Sequence, residues 1–248
     1  MTNSARFAAV PLSEGGTSIK DWLAHNSFPA VDLADCPGMV IIAPHPDDET
    51  LGLGATAAEL VASGARVQVV SVSDGGGAYP DATAFDRVRL EKTRRAELAK
   101  AVQLLGLPEP VSLGLPDGRL GEHEKKMADM FTEILEGNPG LWCAVTWRGD
   151  GHPDHEAAGR AAAVAAGRTG ATLVEYPLWM WHWATPGDPD VPWQQAFSVP
   201  LSRPALGRKQ HAAQCFRSQF DPATPDTPPV LPPFVLRRLL AVGEVLFT

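Results

Sequence analysis

Hydrophobic positions in this chain fall into short continuous runs separated by longer segments of helical spacing, and the two kinds alternate. Met39-Val40-Ile41-Ile42-Ala43 and Val67-Gln68-Val69-Val70-Ser71-Val72 are runs of the kind that strands covered on both faces require. Between them, Thr50 to Ala62 has helix-like spacing and stops at Gly64, a residue suited to the left-handed turn beyond a helix C-terminus. Strand, helix and strand in close succession predict a βαβ unit with a right-handed crossover.

The pattern then repeats. Asp86 to Leu105 reads as a long helix closed by Gly106, Val111-Ser112-Leu113 as a short strand, and Glu124 to Glu136 as a further helix. Trp142-Cys143-Ala144-Val145-Thr146 is the next strand, Asp154 to Ala166 an alanine-rich helix, and Thr172-Leu173-Val174-Glu175 a last short strand. This alternation predicts the α/β class, with a Rossmann-like, doubly wound and mostly parallel sheet. Beyond Tyr176 the regularity fails. Pro186 to Pro233 is proline-rich with one convincing helix, Leu206 to Phe216, and reads as an irregular C-terminal region wrapping the same domain. Residues 1–37 are weakly periodic and read as an N-terminal arm with one short helix around Ser18 to Ala24, which leaves 38–248 as a single domain.

Composition narrows the function classes. The 248 residues are 44% hydrophobic and 20% charged, an ordinary globular balance. Twenty-nine acidic against 21 basic residues give a net charge of -8, a field that repels phosphate backbones and argues against a nucleic-acid partner. Three cysteines, Cys36, Cys143 and Cys215, without a C-x-x-C pair exclude a disulfide framework and a thiolate zinc site, and fit a reducing cytoplasm. No apolar run of export-signal or membrane-spanning kind is present in the sequence, so neither is expected.

Ligands in open α/β sheets collect at the carboxyl ends of the strands, and two loops there are unusual. The loop after Met39–Ala43 reads His45-Pro46-Asp47-Asp48-Glu49; the loop after Trp142–Thr146 reads Asp150-Gly151-His152-Pro153-Asp154-His155. One such loop alone reads equally well as acidic residues capping a helix. Two of them, at the ends of separate strands and each containing His-Pro-Asp, point to a shared metal site, because imidazole and carboxylate are the ligands that suit zinc.

A rival pattern lies close by. Gly52-Leu53-Gly54-Ala55-Thr56-Ala57 fits the dinucleotide fingerprint G-x-G-x-x-A, with Asp74 at the end of the following strand. That fingerprint must form the tight turn leaving the strand, whereas Pro44 to Leu51 intervene here and contain the His-Pro-Asp motif. The glycines instead suit a close approach of helix to sheet. No nucleophile elbow or phosphate loop is present, and Cys143 inside an apolar strand reads as an inert thiol. Trp179-Met180-Trp181-His182-Trp183 reads as a sugar-stacking wall, a core plug or a subunit interface. The Asp74 to Tyr79 loop, rich in glycine, reads as a mobile rim.

Pro44-His45-Pro46-Asp47-Asp48-Glu49 followed by His152-Pro153-Asp154-His155 resembles the LmbE-like, or PIG-L, family of zinc-dependent N-deacetylases. Arg94-x-x-Glu97-x-x-x-Ala101 ending in Leu105-Gly106, Leu115-Pro116-Asp117-Gly118, Lys209 and Arg217-Ser218-Gln219 extend the likeness. The resemblance implies His45, Asp48 and His155 as ligands to Zn2+, with Fe2+ as the alternative in vivo. It implies Asp47 as general base, His152 as oxyanion stabiliser, Asp154 as the residue orienting the His152 ring, and Arg94 and Asp117 as substrate contacts. Two imidazoles and one carboxylate leave a catalytic ion an open position, at which it acidifies water and polarises an amide carbonyl. His152, if protonated, would supply positive charge to the oxyanion. On spacing alone His152 also reads as a fourth ligand or a hydrogen-bonded loop residue, and Asp154 as a helix N-cap. The expected activity is removal of an N-acyl group, acetyl by resemblance, from a small-molecule amino sugar or glycoconjugate. The rivals are an LmbE-like protein that binds a ligand without turnover and a nucleotide-dependent oxidoreductase. A homo-oligomer is compatible with either.

Overall fold

β1 (Gly38–Ala43) is buried along its whole length, and its alternate residues feed two different cores. Met39 and Ile41 join one apolar cluster; Val40 and Ile42 join the other. β2 (Arg66–Ser73) divides in the same way, with Val67 and Val69 on one side and Val70 and Val72 on the other. A strand sandwiched between two helical layers must be apolar on both faces, which is why these runs show no period-two alternation. The computed structural model describes residues 1–25, 27–33, 36–79, 81–222 and 227–248.

In chain order, α1 (Asn3–Ala8) and α2 (Ile19–His25) precede β1. α3 (Asp48–Ala62), β2, α4 (Ala84–Leu105), β3 (Val111–Leu115), α5 (Glu124–Glu136), β4 (Trp142–Thr146), α6 (Pro153–Thr169) and β5 (Leu173–Tyr176) then alternate as the sequence predicts. Five parallel strands run in the order β3-β2-β1-β4-β5. α5 and α6 pack together against the Val40 face, while α3 and α4 cover the Met39 face. Helix ends follow local chemistry. Thr83 accepts the Asp86 amide at the start of α4, and Gly106, at φ +83°, closes it.

Two corrections concern the chain ends. The C-terminal region holds more than one helix: α7 (Met180–Trp183), β6 (Ala196–Ser198), α8 (Arg203–Ala213), α9 (Arg217–Phe220), α10 (Pro233–Val242) and β7 (Val245–Phe247) follow β5. β7 and β6 add antiparallel to the sheet, completing seven strands. The N-terminal arm contains two helices rather than one, and it is built into the body. Trp22 is fully buried, edge-on to Trp181 at 4.9 Å, and its Nε1–H donates to the Trp181 carbonyl. Ala34 and Asp35 of the arm, and residues 223–226 of the proline-rich stretch, lie outside the described residues.

The glycine pair of α3 packs rather than binds. A Cβ at Gly52 would lie 2.4 Å from the Tyr176 ring, whose hydroxyl donates to the Ile42 carbonyl of β1. α3 also breaks at Leu53 (φ -131°, ψ 18°). The amides of Ala55 and Thr56 donate to the buried Glu244 carboxylate, which pairs with Lys209 Nζ at 2.7 Å. The Asp74 carboxylate accepts from Ser112 and pairs with Arg95, so it is engaged within the fold. Burial pushes the Cys143 thiol up to about 12, consistent with an inert side chain. Among the described residues no helix is long and apolar enough to cross a membrane.

Candidate metal centre and pocket

The strand order reverses between β1 and β4, and the two His-Pro-Asp loops leave the sheet side by side at that crevice. His45, at the end of β1, and His155, in the first turn of α6, approach to 5.3 Å between ring centroids. Asp48 stands between them. Its Oδ2 lies 3.2 Å from His45 Nδ1 and 3.3 Å from His155 Nε2, and it also accepts the His45 amide at 2.9 Å. One ligand atom from each of the three residues falls within 4.8 Å of the others.

The donor chemistry fits a divalent cation. His155 Nδ1 bonds to Asp150 Oδ2 at 2.8 Å, while its Nε2 is buried without a hydrogen-bond partner. A metal-binding imidazole has this arrangement, with one nitrogen oriented by a carboxylate and the other left for the ion. Asp150 is itself fully buried and is held by the amides of Leu178, Trp179 and Met180. Burial works to lower the His155 pKa, yet Asp48 and Asp150 carry it up to about 9. The surrounding potential therefore favours a positive charge, which a cation satisfies as well as an imidazolium does. Asp150 lies in the second motif but is not among the site residues expected from the sequence; its signal is a carboxylate five residues before a candidate ligand, His155.

His45 is oriented from its far side. Its Nε2 faces Asp117 Oδ1 at 3.0 Å and Asp154 Oδ2 at 3.3 Å, so Nδ1 points toward Asp48. His45, Asp117 and Asp154 form a second group with metal-like spacing. Their oxygens are already committed: Asp117 accepts the Gly77 amide at 2.7 Å, and Asp154 accepts those of Gly118 and Leu120 at 2.7 and 3.0 Å. They act as a frame for His45.

Asp47 is set apart from the three ligand atoms. It is the only non-glycine residue at positive φ among the described residues, at +140°, a costly conformation of the kind that functional sites retain. The buried Glu49 carboxylate accepts its amide and so holds the turn. Burial raises the Asp47 pKa to about 8, against the pull of Arg94, whose Nη2 lies 3.3 Å from Oδ2. Arg94 also donates to the carbonyls of Pro46 and Gly75, tying together the loops after β1 and β2.

Two sequence expectations need revision. Asp154 does not cap α6; His152 does, with its Nδ1 accepting the Asp154 amide at 3.2 Å. The link from Asp154 to the His152 ring is thus its backbone amide, and its carboxylate accepts from the 118–120 turn and faces His45. For His152, burial, then the positive charges of His155 and His45, push the pKa down to about 3, which favours the neutral ring over the imidazolium. With Nδ1 accepting, the ring proton sits on Nε2, which makes His152 a neutral donor.

A cavity of about 340 Å³ opens over the centre. His45, Asp47, Asp48 and His152 form its floor, and Arg94 and Asp117 line it as well. Of the tryptophan cluster, Trp181 and Trp183 are core residues and Trp179 faces the cavity. Glu97 accepts both the amide and the hydroxyl of Ser218, fixing α9 so that Gln219 reaches the same cavity.

Comparison with known proteins adds three findings. Residues 40–166 match the model of a family described as PIG-L, GlcNAc-PI de-N-acetylase. A 1D-myo-inositol 2-acetamido-2-deoxy-alpha-D-glucopyranoside deacetylase of Mycobacterium avium is 39% identical over 89 residues, covering 33% of this chain and 29% of that protein. A diacetylchitobiose deacetylase of Thermococcus kodakarensis is 29% identical over 131 residues, covering 50% of this chain and 47% of that one. The matches thus span between about a third and a half of these relatives' own length. The solved structure of the zinc inhibited form of teicoplanin deacetylase Orf2 shares the fold, with a TM-score of 0.61 at 20% identity over 73% of this chain and 84% of that one.

Proposed function

The chain belongs to the PIG-L family, and from that membership we propose that it is a metal-dependent hydrolase cleaving the amide of an N-acylated amino sugar or glycoconjugate. The observation that carries this reading is the convergence of Asp48, His45 and a His155 Nε2 without a hydrogen bond beside a buried carboxylate, Asp47, that is not one of the three candidate ligands. His45 Nδ1, Asp48 and His155 Nε2 would hold the ion, zinc in the first instance and iron(II) as the alternative. A divalent ion there supplies Lewis acidity toward an amide carbonyl and toward water.

The remaining work falls to the chain. Asp47, its affinity for a proton raised toward neutrality by burial, takes a proton from the attacking water and delivers it to the departing nitrogen. Its left-handed turn and the Arg94 contact fix the carboxylate beside the ligand set. His152 donates its Nε2–H to the oxygen on which negative charge develops, a role that needs no imidazolium. Arg94 and Asp117 supply polar contacts for a hydroxylated amine. The water oxygen ends on the acyl carbon, the C–N bond breaks, and the products are a carboxylate and a free amine.

Neither rival has comparable support. A protein that only binds its ligand has no use for a buried base in a strained turn, and the glycine pair of α3 is spent on Tyr176 and Lys209. Metal analysis of the purified protein, coupled to primary-amine release across N-acyl glycosides, tests the proposal. One equivalent of metal together with amine release is the expected result. Bound metal without amine release from any member points to the silent binder; bound nicotinamide nucleotide without metal points to the oxidoreductase.

A further inference from the structure

The cavity has two unlike flanks, and the strand order separates them. Loops after β2 and β3, on one side of β1, bring Gly77, Ala78, Asp117 and Gly118 to the cavity. On the β5 side of β4, Leu178 and Trp179 of the segment after β5 line the cavity together with Phe7 of α1, Val235 and Leu239 of α10, and Leu231 just before α10. The charged lining residues Asp47, Asp48, Arg94 and Asp117 all belong to the floor or the first flank. On the second flank Leu178, Leu231, Val235 and Leu239 are members of one buried cluster, with Phe7 and Trp179 packed against it.

This apolar wall begins beside the reacting centre and is held in place. The Phe7 ring lies 5.0 Å from Trp179 and 6.3 Å from His152. α1 is anchored by Asn3 donating to the Gly149 carbonyl and by Arg6 pairing with Asp188 and stacking over Trp183. α10 is tied to the same region by Arg238, which bonds to His182 and to the Gly15 carbonyl. Both ends of the wall lie outside residues 40–166, so it is contributed by segments beyond the family match.

We propose that the apolar flank is a subsite for a hydrocarbon acyl chain longer than acetyl. The inference rests on the hydrolase reading above. The two substituents of a trans amide diverge, so a hydroxylated amine directed toward Asp117 sends the acyl carbons toward Phe7 and Leu239. An acetyl methyl would leave the solvent-reached parts of this wall, chiefly the Phe7 and Trp179 rings, uncovered, whereas each methylene moved onto them strengthens binding about threefold to fourfold. Hydrolysis then places the water oxygen on the acyl carbon, breaks the C–N bond, leaves the proton on nitrogen, and yields a fatty carboxylate and an amine.

The test uses the metal-loaded full chain and two series. One is N-acylglucosamines from acetyl to decanoyl; the other is alkyl glycosides of N-acetylglucosamine from methyl to octyl. We expect kcat/KM to rise about threefold per methylene over the first four carbons added to the acyl chain, with the glycoside series flat. Val235→Trp and, as a variant on a different element, Phe7→Ser should each flatten that rise. A rise confined to the alkyl glycosides, or none in either series, overturns the assignment. Calorimetric binding of acetate and octanoate separates this from failure of the hydrolase reading. Octanoate binding at least about 30-fold tighter than acetate supports the subsite even if no amine is released, and equal binding overturns it.

Discussion

The loops after β1 and β4 hold their side chains by hydrogen bonds, whereas α1, α10 and the segment after β5 hold theirs by packing. In the loops each functional group has a named partner: Asp150 for His155, Asp117 and Asp154 for His45, Glu49 for the Asp47 amide. In the wall, the side chains of Leu178, Leu231, Val235 and Leu239 make packing contacts only, within a cluster assembled from both chain ends, while their backbones are tethered at points such as the Leu178 amide on Asp150. Chemistry that demands fixed atoms is built from a few residues close in sequence. Selectivity toward an apolar group tolerates exchange of side chains of similar volume, and it is built from segments far apart.

The largest effect separating the two regions should come from His155→Ala. It removes Nε2, the candidate ligand atom that has no hydrogen-bond partner in the fold, so metal content should fall to background and amine release by at least about 1000-fold, with circular dichroism showing the fold retained. Asp47→Asn should leave metal content unchanged while lowering kcat by about 100- to 10,000-fold, the range of a lost general base. Unchanged turnover in this variant would remove Asp47 from the mechanism. Asp150→Ala should weaken metal affinity by about 10- to 100-fold, read by competition with a chelating dye, because it only orients His155.

The smallest effect belongs to the packed region. The Arg6 hydrogen bond holds the Asp188 pKa below the usual carboxylate value. A depressed folded-state pKa contributes stability that is fully present above the unfolded value, near pH 4, and is lost as pH falls through the folded value. The thermal midpoint of the native chain should therefore decline more steeply than that of Asp188→Asn below pH 4. Parallel declines would show that the ion pair does not anchor α1.

How much of this was legible in the sequence follows the same division. β1 and β2 could be read because burial on both faces leaves unbroken apolar runs, and the motif histidines because their loops carry too many ligating groups for caps alone. Only the capping alternative for Asp154 fails: a carboxylate in the first helical turn ordinarily serves that helix, but here His152 takes the cap and leaves Asp154 to reach the 118–120 turn. β6 and β7 were invisible, since three residues carry no period and their pairing, Ala196 with Phe247, spans about 50 positions. α10 begins with Pro233 at its first position, which local reading takes as more of the proline-rich stretch rather than as a helix start. The arm gave no sign of reaching the cavity because the ring contacts of Phe7 and Trp22 are to residues far away in the sequence, such as His152, Trp179 and Trp181.

Anomalous diffraction at the zinc absorption edge from crystals of the metal-loaded protein tests the central claim most directly. The account predicts one strong peak bonded to His45 Nδ1, Asp48 and His155 Nε2, with Asp47 outside bonding distance. A peak elsewhere, no peak at all, or Asp47 in place of one of the three would contradict it.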